Sequence, residues 1–423
     1  MKFPTALFSL ALTLATSSAA DPAHQWGHWR GPTGNGTSTT ADPPVHWNEK
    51  KNVKWKVAIP GKGSSSPVVW KDKIFVTSAV GPAGEAGNPR SRQKFTLFCV
   101  DRENGNVLWE KVAATTVPHE GHHDQNTFAS ASPMTDGERV FAYFGSRGLF
   151  AYDMGGELLW SYTDFGKMTT RNGFGEGSSP TLHGDTIIVP WDHEGPSKLV
   201  AINAATGKVK WETPRDEPTS WDTPLVVTHK GKKQIVTSGQ NFAMGYDFDS
   251  GKEIWRCPGQ TQRPVASAVS ADGIVYVGSG FRGAYLGAFK LGATGNLKGT
   301  DAVLWTKNDQ TPDIPSLLLS NGRLYYTARK SPILSCVDAK TGDMHFERER
   351  IDGLRELYAS PIAAAGRIYV TGRDGNITVL KEGDALEVLA TNKLNDHTDA
   401  TPALVGKQIV IRGARHLYLI AKP

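Results

Sequence analysis

The chain has 423 residues, with 47 Lys and Arg against 42 Asp and Glu and a formal net charge of +5. An excess this mild and dispersed excludes the basic stripe of a nucleic-acid binder. The 45 glycines and 12 tryptophans, with no sustained helical periodicity, exclude a helical bundle and point to many short strands joined by tight turns.

At the start, Lys2 precedes an apolar run from Ala6 to Leu14 and then Ser18-Ala19-Ala20. That order of charged, apolar and small residues is that of a secretory signal peptide. Residues 1–20 are therefore set apart from the fold, with cleavage expected near Ala20 and a secreted or periplasmic mature chain. The run is far shorter than the roughly 20 apolar residues of a membrane span, so no transmembrane segment is expected. No cysteine follows it to carry a lipid anchor. Residues 21–52, with Trp26, Trp29 and the turn-rich RGPTGNG, are expected to strap across the domain, their aromatics serving packing. Residues 53–423 read as one domain.

Within that domain one unit recurs, opened each time by a Ser/Thr-Pro pair or its relic. The openings are Ser66-Pro67, Ser132-Pro133, Ser179-Pro180, Thr223-Pro224, Ala266-Ser267-Ala268, Pro315-Ser316, Ser360-Pro361 and Thr401-Pro402. Their spacing suits the roughly 40–50 residues of a four-stranded propeller blade. Each unit holds two hairpins, the first turning at pairs such as Asp136-Gly137 and Asn321-Gly322. The second starts at Asp101, Asp247 or Asp338, passes Gly105, Gly251 or Gly342, and ends on Trp109, Trp255 or Phe346; Asn203, Gly207 and Trp211 repeat it. The Asp or Asn side chain can hold the turn, the Gly takes positive φ, and the aromatic packs between blades. The last unit, from Thr401 through HLYLIA, has only three strands, while NVKWKVAIP near the start is a fourth strand without a unit. Joining them removes the exposed sheet edges. The expected fold class is all-β: an eight-bladed β-propeller of four-stranded antiparallel blades, its last blade closed by the N-terminal strand.

The segments WGHWRGPTGNG, GSSSPVVW, CVDRENGNVLW, AINAATGKVKW, CVDAKTGDMHF and ASPIAAAGRIYVTGRDGNITVL carry a resemblance to the pyrroloquinoline-quinone-type (PQQ-like) propeller family. The resemblance covers about residues 26–423. That family includes quinoprotein dehydrogenases and outer-membrane assembly propellers of the BamB type, and the segments are most similar to secreted bacterial members without an assigned activity. For the enzyme branch the resemblance implies a flat tricarboxylate quinone, aromatic stacking, cations for its carboxylates and an oxygen-held Ca²⁺. Two departures weigh against it: there is no adjacent Cys pair and no Cys-x-x-Cys-His haem motif, and Cys99, Cys257 and Cys336 are scattered. For the assembly branch it implies partner binding through loops, with no catalytic group. A direct BamB role sits poorly with a mature chain that lacks a lipidated cysteine.

Strand order puts the blade-to-blade connections and the second-to-third-strand loops on one face. That face gathers Arg147, Arg171, Glu176, Trp221, Asp222, Arg282, Arg329, Arg373 and Arg412 as candidates for binding a cofactor or ligand. A ring of arginines would suit carboxylates or phosphates; the competing reading is that these arginines pair locally, Arg373 with Asp374 for example. PHEGHHDQN offers His119, His122, His123 and Asp124 as metal ligands if the loop folds back on itself, and is otherwise a solvated loop. The expected function is a non-catalytic scaffold binding a protein partner or a small anionic ligand at the loop face, the alternative being a PQQ-dependent or metal-assisted oxidoreductase at the channel mouth.

Overall fold

The computed structural model describes residues 21–422, so the expected signal segment lies outside the described residues. The chain forms eight four-stranded antiparallel blades around an axis. Their innermost strands, blades 1 to 8 in order, are Val68–Trp70, Met134–Thr135, Thr181–His183, Leu225–His229, Val269–Ala271, Leu318–Ser320, Ile362–Ala364 and Ala403–Val405. The second and third strands of each blade are almost wholly buried, because both faces pack on neighbouring blades; blade 1's Gln93–Asp101 is an example. Rim strands alternate between half-buried and exposed, as Val53–Ala58 does. That strand pairs antiparallel with His416–Ala421, placing Trp55 opposite Leu419 and completing blade 8 from both chain ends. The three cysteines are buried and unpaired.

At the rim, the turn and aromatic of the second hairpin lock blade to blade. The Asp101 carboxylate accepts from the amides of Glu103 and Asn104 at 2.8 and 3.0 Å, and Asp338 repeats this with Lys340 and Thr341. At five junctions the rim tryptophan of the preceding blade then lies on the turn glycine and donates its indole N–H to the carbonyl just after the turn's Asp or Asn, whereas Trp255 of blade 4 donates to Gln234 of its own blade. Trp55 reaches Arg102 O, Trp109 Met154 O, Trp160 Ala204 O, Trp211 Phe248 O and Trp305 Ala339 O, all within 3.3 Å. Only glycine leaves room: at Gly207, with φ +70°, a Cβ would sit 2.6 Å from the Trp160 ring.

At the axis, the Ser/Thr that opens each unit forms a second lock. The amide of Ser66 donates to the Ser132 hydroxyl, Ser132 to Ser179, Thr223 to Ser267, Ser267 to Ser316, Ser316 to Ser360, Ser360 to Thr401, and Thr401 back to Ser66, all at 2.9–3.0 Å. These backbone N–H groups are buried at the channel wall and need acceptors, which the next blade's side chain supplies.

The N-terminal segment crosses the opposite end of the channel, where the first hairpins turn. Trp26 exchanges backbone bonds with Val69 of blade 1, and Gly27 O accepts from Thr135 of blade 2. The Asn35 side chain bonds Ser270 of blade 5, Thr37–Ser38 run parallel to Ala363 and Ala364 of blade 7, and the Asp42 amide reaches Gly406 of blade 8. Arg30, 2% exposed, points into the channel and donates to Leu317 O and Pro361 O of blades 6 and 7. Trp26 is packing, wholly buried in the largest apolar cluster, whereas Trp29 reaches the channel interior and lines a cavity there.

Gly184 and Gly207 separate the two costs of adding a methyl group at positive φ. Gly184, φ +57°, faces open space, so Gly184→Ala is expected to cost about 1–2 kcal/mol for the left-handed backbone alone. Gly207→Ala meets Trp160 as well and should exceed that by roughly 1–3 kcal/mol. Urea unfolding midpoints check this; equal losses would mean that the tryptophan stack does not lock the blades.

Candidate functional site

Each innermost strand starts at the loop face with its ring Ser or Thr. The ring therefore forms a collar just below the blade-to-blade connections, and it walls a cavity of about 300 Å³ open to that face. Trp29 of the strap is the floor. Phe174, Trp221 and Tyr358 from three connections form an aromatic rim, joined by His123, Gln125, Arg263, Lys330 and Asp399. The hydroxyls of the collar accept from amides, which leaves their protons available to a guest.

The rim side chains are held in place. Trp221 donates its indole N–H to Gly175 O at 2.8 Å, and the Phe174 ring meets His123 edge-on at 5.0 Å. The Tyr358 hydroxyl bonds Gln125, joining the connection after blade 6 to the one after blade 1. Arg263 stacks on Phe281 at 3.4 Å, lies 3.8 Å from Asp313, and has a buried Nε without a partner among the described residues. Burial, little offset by Asp313, lowers its pKa from the usual arginine value.

The candidates drawn from the sequence separate into distinct environments. Arg147 is bound to Glu176 at 2.8 Å, and Glu176 also accepts from the Ser146 amide and hydroxyl. Arg171 donates to the Gln240 side chain at 2.7 Å. Arg373 bonds Asp399 and Glu356 at 2.6 and 2.7 Å rather than the adjacent Asp374, which instead holds the Asn376 side chain at 2.8 Å. Arg282 and Arg329 are exposed at positive φ on their loops. Trp221 alone of the nine lines the axial cavity, and Arg412 lines a second one beside it.

The histidines of PHEGHHDQN point apart. The His119 ring bonds Met168 O at 2.7 Å, His122 bonds Gly87 O at 3.1 Å and packs on Phe128, and His123 turns into the axial cavity. Asp124 lines the second cavity. His119 instead comes near Glu120 and Glu176, the one triad of potential ligand atoms within 4.8 Å of one another among the described residues. Its carboxylates are already committed, Glu176 as above and Glu120 to the amide and hydroxyl of Thr170.

Asp222 lies beneath the mouth at the junction of blades 3 and 4. Arg215 forks onto Asp192 at 2.8 and 2.9 Å, Ser220 bridges Asp192 and Asp222, and the Ser238 amide donates to Asp222 at 2.8 Å. Burial pushes the Asp222 carboxyl up to about 7, and burial likewise raises Glu217 to about 7. Trp29, expected from the sequence to serve packing, lines the cavity, and Phe174, Arg263 and Tyr358 were not among the sequence candidates. The one signal available for those three was position, a few residues before a repeat opening.

A family profile described as outer membrane protein assembly factor BamB matches residues 13–163, 52–241 and 151–297. A polyvinylalcohol dehydrogenase from a Pseudomonas species is 23% identical over 51% of this chain, and the match spans 37% of that relative's length. BamB from Moraxella catarrhalis superposes with a TM-score of 0.57 at 11% identity, over 87% of this chain and 99% of that one. A quinohemoprotein alcohol dehydrogenase from Comamonas testosteroni superposes with a TM-score of 0.67 at 11% identity, over 96% and 82%. Identities this low establish a shared fold.

A carboxyl whose folded pKa is raised binds its proton in the folded state over a range where the unfolded chain has lost it. Stability from Asp222 and Glu217 is then full below about 4 and falls as pH rises towards 7. Asp222→Asn should flatten part of that slope, so the variant gains on the parent between pH 4 and 7. Urea midpoints across that range measure it, and a pH-independent difference would mean that Asp222 is ionised throughout.

Proposed function

This chain belongs to the family of the outer membrane protein assembly factor BamB, and from that premise we propose that it is a secreted or periplasmic, non-catalytic binding propeller. Its loop-face cavity would receive a flat anionic group, from a small molecule or a partner's exposed segment. The observation that carries this reading is the cavity's own chemistry: a hydroxyl collar, an aromatic rim, and Arg263 weakly neutralised at its edge. Stacking surfaces, hydroxyl donors and a guanidinium suit a planar carboxylate.

The dehydrogenase relatives favour a second reading, in which a quinone and Ca²⁺ fill the mouth. The quinone would supply hydride or electron acceptance; the metal would need several free oxygen ligands. Asp399 is the single carboxylate lining the cavity among the described residues, and it already accepts from Arg373 and His397. Glu176 and Asp222 are committed to protein donors. The residues present do not fit the calcium-bound quinone, so no redox step is derived from them.

Trimesate, a flat redox-inert tricarboxylate, probes the cavity through the fluorescence of Trp29 and Trp221. Saturable quenching is expected, weakened about tenfold, or ~1.4 kcal/mol, in Arg263→Gln and in Trp221→Ala. Absence of quenching would refute the anion reading. Addition of pyrroloquinoline quinone, Ca²⁺, polyvinyl alcohol and a redox dye should give no turnover; dye reduction would overturn the non-catalytic reading. Mass spectrometry of the protein expressed in a Gram-negative host should find it in the periplasm with Asp21 at its N-terminus.

A further inference from the structure

Arg412 ends the second strand of blade 8, two residues past the partner of Ala403. At that register position blades 1, 6 and 7 carry Thr77, Thr327 and Thr371. The position faces the next blade: the Thr77 hydroxyl donates to Ala131 O, at the entry to blade 2. For Arg412 the next blade is blade 1, across the junction where the ring closes.

The side chain that replaces threonine is 1% exposed, and its Nε, Nη1 and Nη2 all lack a hydrogen-bond partner among the described residues. Asp396 is the charge that acts on it, but the Asp396 oxygens accept from the His416 ring and amide and from Arg415. Burial pulls the Arg412 guanidinium down to about 10, still ionised at neutral pH. A buried cation with no acceptor is among the costliest arrangements a fold can hold. Arg412 lines a recess of about 510 Å³ that meets the axial cavity at Ser64, Gln125, Asn126, Asp399 and Ala400. Lys62 also lines this recess and forms no ion pair among the described residues; Arg373 and Arg415 there are already bonded to Asp399 and Asp396. Of the two acids in the lining, Asp399 is thus held by Arg373, leaving Asp124 against two uncommitted cations.

We propose that this recess at the junction of blades 8 and 1 is an oxyanion site, in which the Arg412 fork binds a carboxylate or phosphate group and Lys62 adds the second positive charge. Five guanidinium N–H donors match two or three oxygens of one anion, which no carbonyl or carboxylate among the described residues replaces. Gly61 and Gly63 in the wall let this segment lie close against blade 1: a Cβ at either would lie 2.4 Å from a backbone oxygen there. The site extends the loop-face reading without depending on trimesate binding at the axis.

Thermal unfolding of the chain from residue 21 onward, in phosphate or malonate against chloride at equal ionic strength, tests it. Either anion should raise the midpoint saturably, and whichever saturates at the lower concentration identifies a phosphate or a carboxylate as the preferred group. Arg412→Met should abolish the rise and, having lost an uncompensated buried charge, be at least as stable as the parent in chloride. Lys62→Ala, on the surface loop, should keep the chloride midpoint and need several-fold more anion. Arg263→Gln should leave the phosphate response intact, so this site and the axial one fail separately. Equal shifts in parent and Arg412→Met, or none in the parent up to tens of millimolar, would overturn the proposal and assign the guanidinium to water. Should Arg412→Met not fold, an unchanged anion response in Lys62→Ala together with an unperturbed Arg412 Nε–H resonance in the parent would overturn it equally.

Discussion

Everything at the loop face is set by one requirement, that the buried amides around the axis find acceptors. Ser and Thr meet it at seven of the eight junctions by lending a hydroxyl to the preceding blade, and Thr401 returning to Ser66 leaves the circle of bonds open only between blades 3 and 4 among the described residues. This circle brings the inner strands to a common height. The connections above it must then rise together, and the cavity they surround has a collar of fixed width. The rim works by the same exchange: a tryptophan of one blade satisfies a carbonyl of the next and occupies the space its glycine leaves. Blades are therefore held at the axis by backbone-to-hydroxyl bonds and at the rim by indole-to-backbone bonds, with apolar packing between.

The strap turns a channel into a cavity. Without it the eight inner strands would enclose a pore open at both ends; with it Arg30 is tied to carbonyls of blades 6 and 7 and Trp29 closes the floor. Burial without a carboxylate pulls the Arg30 pKa down to about 9. A lone cation is held in the channel by carbonyl dipoles, so the cavity floor carries positive potential from below. That bias acts in the same direction as Arg263 at the rim.

The parts readable in the sequence are those forced by local geometry. The Ser/Thr-Pro openings, the Asp-to-Gly-to-Trp offset and the missing fourth strand beside Trp55 all recur because each blade repeats one backbone path, and they were enough for the blade count and the composite closure. The face itself was not readable, since its partners come from different blades: Arg147 meets Glu176 and Arg373 meets Asp399, each across a junction. Adjacent Asp374 was the obvious partner for Arg373 and is turned to Asn376. The three histidines diverge because His122 and His119 are each drawn to a backbone carbonyl on a different neighbour. Phe174, Arg263 and Tyr358 had no motif to mark them, only a place before a repeat opening.

The junction of blades 3 and 4 joins its blades by another means. Asp222 stands where blade 1 has Ser65, for the Ser238 amide bonds its carboxylate as the Thr77 amide bonds the Ser65 hydroxyl. A carboxylate there brings a charge, and Arg215 and Asp192 come with it, along with Ser220 as a bridge. The seven hydroxyl links skip this junction and the ionic network spans it. At the junction of blades 8 and 1 the substitution runs the other way: the hydroxyl link is kept, the cation Arg412 is introduced, and no acceptor among the described residues bonds its guanidinium. One junction is thus complete within the protein, while the other has donors whose acceptors must come from outside it.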